Sequence, residues 1–255
     1  MRKQGSISFL KKRNKKLLLF WLKQSKVFWF FFSKKNTSCF PSPTALTHLL
    51  TNHPAEAAPW VRAAAERGLL AAQVRLARML LEGTGVPRDH EAAWRWFATA
   101  ARDGDIDAMN MLGRCHENGW GTRPDAAAAA IWYERAATHG DAWAQYNLGH
   151  LLLDGNGVAR DHVAAFTWYS RAAAQGHARA MNLVGRCYEE GWGTARDAAR
   201  AAAAYRSSAE AGYFRGQYNH ATVLRAAGRT AEARAWFARA AAGAPRLTLC
   251  ATLDE

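Results

Sequence analysis

From residue 59 to residue 243, stretches with apolar residues at helical spacing alternate with short polar stretches rich in glycine, and the alternation has a fixed length. Gly83, Gly119, Gly155 and Gly191 follow one another at steps of 36 residues, as do Gly85, Gly121, Gly157 and Gly193. Asp89, Asp125, Asp161 and Asp197 keep the same step, and so do Gly68, Gly104, Gly140, Gly176 and Gly212. Trp96, Trp132 and Trp168 also keep it, with Ala204 in the fourth copy. Four copies are therefore in register without a gap.

Each copy predicts two antiparallel helices, A and B. In residues 105–140, helix A is expected from about Ile106 to Asn118, with Asp105 capping its first amides and Gly119 stopping it. Asp125 then caps helix B, which runs through the alanines to about His139 and stops at Gly140. The short connection forces the pair to be antiparallel. Small residues recur where helix backbones are expected to touch: Ala72, Ala108, Ala144, Ala180 and Gly216, then Ala77, Gly113, Gly149, Gly185 and Ala221. Bulk to fill the gaps is expected from Trp96-Phe97, Trp132-Tyr133 and Trp168-Tyr169, with alanine pairs one turn later leaving room for the next repeat. One such hairpin cannot bury its apolar face alone, so the array is stable only as a stack.

The recurring strings A-x-x-x-L-G, G-x-G-x-x-x-D and W-Y-x-x-A-A-x-x-G resemble the Sel-1-like repeat, a relative of the tetratricopeptide repeat. The resemblance implies an all-α fold, an α/α superhelical solenoid with A helices lining the inner side. It divides the array at 59–243 into a cap helix (59–68), four full repeats (69–104, 105–140, 141–176, 177–212) and a degenerate capping repeat (213–243). The last unit drops four residues from its loop, because Trp236-Phe237 lies 32 residues after Ala204-Tyr205. Residues 46–58 read as a linker and 244–255 as a tail.

Charge sets residues 1–45 apart. All nine lysines fall between Lys3 and Lys35, and with Arg2 and Arg13 and no acid they give the first 36 residues a charge of +11 out of a chain total of +13. The remainder is nearly neutral, so the basic balance is no argument for nucleic-acid binding by the folded body. Residues 17–32 hold two apolar runs of six split by Lys23, Gln24, Ser25 and Lys26, too short to span a membrane. Three readings of this segment stand: upstream sequence translated from a misassigned start, a basic and aromatic tail touching an anionic membrane through residues 1–35, or a nucleic-acid-binding arm. The first meets a difficulty, since no methionine lies between Met1 and Met79.

Cys39, Cys115, Cys187 and Cys250 form no CxxC or metal-ligand pair, and the repeat spacing keeps Cys115 and Cys187 apart. They read as small buried helix residues in a reducing compartment. There is no GxSxG, HExxH or phosphate loop, and the recurring GxG precedes a loop instead of following a strand. The chain is therefore read as no enzyme, with no cofactor and no metal. Some cysteine-rich Sel-1-like proteins are hydrolases, a remote alternative, because they carry a cysteine pair in each repeat and this chain does not.

A second period of 72 residues overlies the first. Repeats one and three share LLEGTGVPRDH and LLDGNGVARDH, while two and four share AMNMLGRCHENGWGT and AMNLVGRCYEEGWGT. It reads as duplication of a repeat pair or as an alternating surface. Positions 107, 110, 114, 117 and 118 of helix A gather on one face, which is polar in repeat two and carries Arg179, Asn182, Arg186, Glu189 and Glu190 in repeat four. By resemblance to tetratricopeptide arrays this face lines a groove that binds a protein or peptide, and the candidate contacts are Arg78, Asn110, Arg114, Tyr146, His150, Asn182, Arg186 and Tyr218. Trp120 and Trp192, between glycines in the turns, are candidate exposed anchors or covers for the neighbouring turn. The expected function is a non-catalytic scaffold or adaptor, a monomer in the cytoplasm, with a membrane-associated or periplasmic array tethered by its N-terminus as the alternative.

Overall fold

The computed structural model describes residues 43–244, which form twelve helices and no strand among the described residues. They fall into two compact units that part within one helix, between Ala100 and Ala101. The first unit holds α1 (Pro43–Asn52), α2 (Pro54–Glu66), α3 (Leu70–Glu82) and most of α4 (His90–Arg102). The second holds α5 (Ile106–Asn118), α6 (Ala126–Thr138), α7 (Ala142–Asp154), α8 (His162–Ala174), α9 (Ala178–Glu190), α10 (Ala198–Glu210), α11 (Phe214–Ala226) and α12 (Thr230–Gly243). Within the second unit every helix packs on the next in chain order, the arrangement of an α/α solenoid.

The expected basic segment and tail lie outside the described residues. Residues 46–58, expected as a linker, are instead helical: they belong to α1 and the first part of α2. The cap helix expected at 59–68 begins earlier, at Pro54, whose missing amide costs nothing at a first turn. Pro59 is carried inside the helix with an exposed ring, while Ala57, Ala58, Val61 and Ala65 are buried.

Helix ends follow the repeating aspartates. Asp105, Asp125, Asp141 and Asp161 each accept a hydrogen bond from the backbone N–H three residues on, at 2.7–2.9 Å, and His177 caps α9 through Nδ1. The seven-residue loop from helix A to helix B is closed from within, Asp125 N–H donating to the His116 carbonyl at 2.8 Å and Asp161 N–H to Leu152 at 2.9 Å. Arg160 and Arg196, one residue before the capping aspartate, donate to the last carbonyls of the preceding helix A. The final hairpin replaces this loop with three residues, Ala227 to Arg229.

Packing within a hairpin is set by one ring and one glycine. A Cβ on Gly113 would stand 2.6 Å from the ring of Tyr133, and Gly149 and Gly185 stand in the same relation to Tyr169 and Tyr205. The helix A glycines thus make room for an aromatic ring and not for a helix backbone. Phe97, Tyr133, Tyr169 and Tyr205 are almost wholly buried. Their tryptophan neighbours are not, because consecutive helix positions point about 100° apart and only one can face helix A. Trp132, Trp168 and Trp236 remain half-buried, each beneath the guanidinium of the arginine three residues on, at 4.5–4.7 Å.

Packing between hairpins uses the second glycine of each GxG turn. Gly157 lies against Ala126 and Ala127 at the start of α6, and Gly193 against His162 and Val163 at the start of α8. A Cβ on Gly157 would fall 2.3 Å from the Ala126 carbonyl carbon. The 72-residue period appears in the same seams. Asn110 accepts a hydrogen bond from Asn147 at 3.2 Å and Asn182 one from Asn219 at 2.8 Å, so the even-to-odd seams are bridged by amides. Gln145 and Gln217 also reach back to the carbonyls of Ala137 and Ala209 at these seams, where the even repeats place Met109 and Met181.

The tyrosines share a position but not a partner. Tyr133 donates to Glu117 and Tyr205 to Glu189, whereas Leu153 stands at the equivalent place in repeat three and the buried hydroxyl of Tyr169 has no hydrogen-bond partner. Removing the hydroxyl should therefore act differently at two equivalent sites. Tyr205→Phe is expected to lose about 1.5 kcal/mol, the contribution of a hydrogen bond to a charged acceptor, while Tyr169→Phe is neutral or stabilising; urea unfolding of both variants checks this, and equal losses would refute the assignment. For the turns, Gly157→Ala should cost more than about 2 kcal/mol, adding a backbone collision to the ~1–2 kcal/mol strain of a left-handed residue at φ 72°. Gly140→Ala, at φ 93° with nothing within 4 Å of its Cβ, should cost the strain alone.

Candidate protein-binding groove

Three successive A helices, α7, α9 and α11, and the last helix α12 border one open groove of about 640 Å³ in the second unit. Tyr146 and His150 come from α7, Arg179, Asn182 and Arg186 from α9, and Arg215 and Tyr218 from α11. Phe237 and the small residues Ala240 and Ala241 of α12 close one end, because the shortened final loop brings the ring of α12 against Tyr218 at 5.3 Å.

Aromatic rings pack edge to face along the wall. Tyr146 meets Trp143 at 6.1 Å, and His150 lies between Tyr146 at 4.6 Å and the buried Tyr169 at 5.6 Å. Trp143 and Tyr218 are exposed. The arginines are laid on rings: Arg179 over Trp143 and Tyr213, Arg186 over Trp192 at 4.9 Å, and Arg215 over Phe214. Arg179 also hydrogen-bonds the Tyr146 hydroxyl and, with its charge, opposes the rise that burial gives that phenol. None of the three has a carboxylate within ion-pair distance among the described residues. The carboxylate of Glu189 is engaged by the Tyr205 hydroxyl.

The residues singled out from sequence are placed in three ways. Tyr146, His150, Asn182, Arg186 and Tyr218 share the groove. Asn110 and Asn182 are 6% and 5% exposed, and each is bridged to an asparagine of the next A helix, so they brace the seam. Arg114 is half-buried over Trp120 at 5.1 Å, and Arg78 is half-buried in the first unit. Trp120 and Trp192 are half-covered by their arginines, and Trp192 also packs on the core around Tyr169 and Cys187. Several lining residues were not singled out from sequence, among them Tyr213, Phe214, Arg215, Asn219 and Phe237. Arg215 keeps the register of Arg179 one repeat later, and Phe237 that of Tyr205 once the four-residue deletion is allowed for, so both signals were available.

Burial pushes the Cys115 thiol up to about 12 and that of Cys187 to about 11, so neither is a thiolate at neutral pH. Burial also lowers His150, against the opposing pull of Asp154 and then Glu117. A histidine whose folded pKa is depressed binds fewer protons folded than unfolded, so its contribution is complete above about 6.5 and is lost as pH falls below that value. His150→Gln should therefore lose less melting temperature than the parent between pH 7.5 and 5, although His116 and His220, also lowered, are retained. Parallel melting curves over that range would exclude the assignment.

Among the described residues no helix is long and apolar enough to cross a membrane. Comparison with known proteins finds the Sel1 repeat in four segments, residues 70–105, 106–141, 144–177 and 178–213. The chain is similar to a Sel1 repeat protein from Oxalobacter formigenes, at 29% identity and a TM-score of 0.73 over 78% of this chain and 84% of that one. It is also similar to a protective antigen of uropathogenic Escherichia coli strains displaying an SLR fold, at 29% identity and a TM-score of 0.67 over 73% of this chain, and it spans 41% of that antigen's length. A sel1 repeat protein from Klebsiella pneumoniae subsp. pneumoniae, 21% identical with a TM-score of 0.51 over 76% of this chain and 96% of its own, shares the fold. No curated protein matches. Four matched repeats in register cover more than half of the sequence, and the chain belongs to the Sel1 repeat family.

Proposed function

We propose that the protein is a non-catalytic scaffold that captures a protein segment in the groove of its second unit. Sel1 repeats are in general a protein-interaction scaffold, which supports the reading. The observation that carries it is the groove itself: exposed arginines and rings, without ion-paired carboxylates, on faces of α7, α9 and α11 that helix packing does not require. Tyr146, His150, Arg186 and Tyr218 are the proposed contacts, with Asn182 as the braced floor. Arg114, Asn110 and Arg78 belong to the wider set of A-helix positions, and Trp120 and Trp192 serve as supports under arginines. No cofactor enters the reading, and the folded body is not assigned to nucleic acid.

The proposal further takes the protein as a cytoplasmic monomer. The membrane-tethered alternative rests on residues 1–35, outside the described residues. A photoreactive benzoylphenylalanine at Tyr218, compared with one at the exposed Ile131 of α6, tests the groove in native cells. The expected outcome is a discrete adduct from position 218 that is absent from position 131. The same adducts from both positions, or none from 218, would remove the groove from the function.

A further inference from the structure

Resting on the groove as the capture site, we infer that its ligand is an acidic, aromatic-bearing peptide segment, bound extended with two carboxylates three or four residues apart. Three cations, Arg179, Arg186 and Arg215, line the groove against one carboxylate, Glu189, which accepts from Tyr205 and keeps its charge, so positive charge stands in excess. His150 adds no charge at neutral pH, since burial lowers it. An incoming carboxylate therefore meets uncompensated donors, and an incoming cation does not.

The arginines are prepared for this ligand. Each rests near a ring, which restricts its rotamers, and although Arg179 also hydrogen-bonds the Tyr146 hydroxyl, none of the three is committed to a carboxylate among the described residues. Arg179 and Arg186 lie seven residues apart on α9, which separates their Cα atoms by about 10 Å. A chain in the polyproline II form turns side chains three residues apart to one side about 9 Å apart, and a β-extended chain those four apart at about 13 Å, whereas adjacent acidic residues reach only one of the two. Tyr146, the exposed Tyr218 and Phe237 line the same groove, together with the small Ala240 and Ala241 of α12. This suits an aromatic side chain placed between the two acids. A nucleic-acid strand fits less well: its phosphates need a long basic track, and this groove offers three arginines beside a glutamate.

The test uses the full chain and defined peptides, read by fluorescence anisotropy at physiological ionic strength. The probes are Gly-Asp-Phe-Ala-Asp-Gly, a version with one further alanine between the acids, and the rearranged Gly-Asp-Asp-Phe-Ala-Gly of equal composition and charge. A short oligothymidylate serves as competitor. The lysine-rich residues 1–36 attract all the peptides alike, so the comparison between them cancels that contribution. One of the spaced peptides is expected to bind about tenfold more tightly than the rearranged one, and Arg179→Gln with Arg186→Gln to abolish the difference. Arg171→Gln, on α8 away from the groove, should retain it. Circular dichroism of the double variant guards against loss of folding, and the single variants should each lose part of the preference.

Equal binding of all the peptides, an unaltered preference in the double variant, or displacement by oligothymidylate at lower concentration than by peptide would each overturn the acidic-peptide assignment. Adducts at position 218 together with no peptide preference would leave the scaffold standing and remove this ligand. Absence of both would remove the two together.

Discussion

The array depends on an aromatic ring lying on a glycine. Tyr133, Tyr169 and Tyr205 each occupy space that exists only because the residue 20 positions earlier has no side chain. This contact joins helix A to helix B within a hairpin, and the second glycine of GxG joins hairpin to hairpin across a spacing of 31, from Gly157 to Ala126 and from Gly193 to His162. Two short-range contacts thus generate the period. Both are steric, so they tolerate little change in volume, and each repeats wherever its two residues do.

Duplication alone leaves the 72-residue period without consequence, but the seams give it one. At the even-to-odd seams Asn110–Asn147 and Asn182–Asn219 pair side-chain amides between A helices, while Gln145 and Gln217 satisfy the carbonyls at the ends of helices B. A buried amide pair stabilises only when both members are present, because either one alone is left with an unsatisfied group. Substituting one position of such a seam is thereby coupled to its counterpart in the next repeat. The sequence alternates in pairs where the structure needs pairs.

Most of the fold was legible because it is written as repetition. In repeat two Asp105 and Gly119 place α5 at its observed bounds, and Asp125 places the start of α6, which ends at Thr138, one residue before the expected His139. Side-chain direction was harder. Asn110 and Asn182 fall on the polar face by helical arithmetic, yet that face borders both the groove and the next A helix, and only packing tells which side an amide takes. The tryptophans of helix B raised the same difficulty: adjacent bulky residues compete for one pocket, and the ring that fits against glycine enters while the indole stays under its arginine. Residues 46–58 precede the first copy of the 36-residue period, so repetition gives no signal for α1 and the start of α2. Phe237 keeps the register of Tyr205 across the four-residue deletion, but only packing shows that its ring meets Tyr218.

Once rings, glycines, capping residues and seam amides are accounted for, few positions on the A helices of the second unit are left without a packing duty. Those that line the groove repeat only in part: the register shared by Arg179 and Arg215 holds Asp107 in repeat two and Trp143 in repeat three, that of Tyr146 and Tyr218 holds Asn182 between them, and that of Arg186 holds His150. Packing does not dictate which residue stands there, whereas it dictates the tyrosine at 133, 169 and 205. The variation nevertheless produces a consistent surface, since Trp143, Tyr213 and Phe214 are the rings on which Arg179 and Arg215 rest. Residues from different repeats cooperate to orient cations that no carboxylate among the described residues neutralises. Stacking on a ring does not require those cations to be left unneutralised, so packing alone does not account for them.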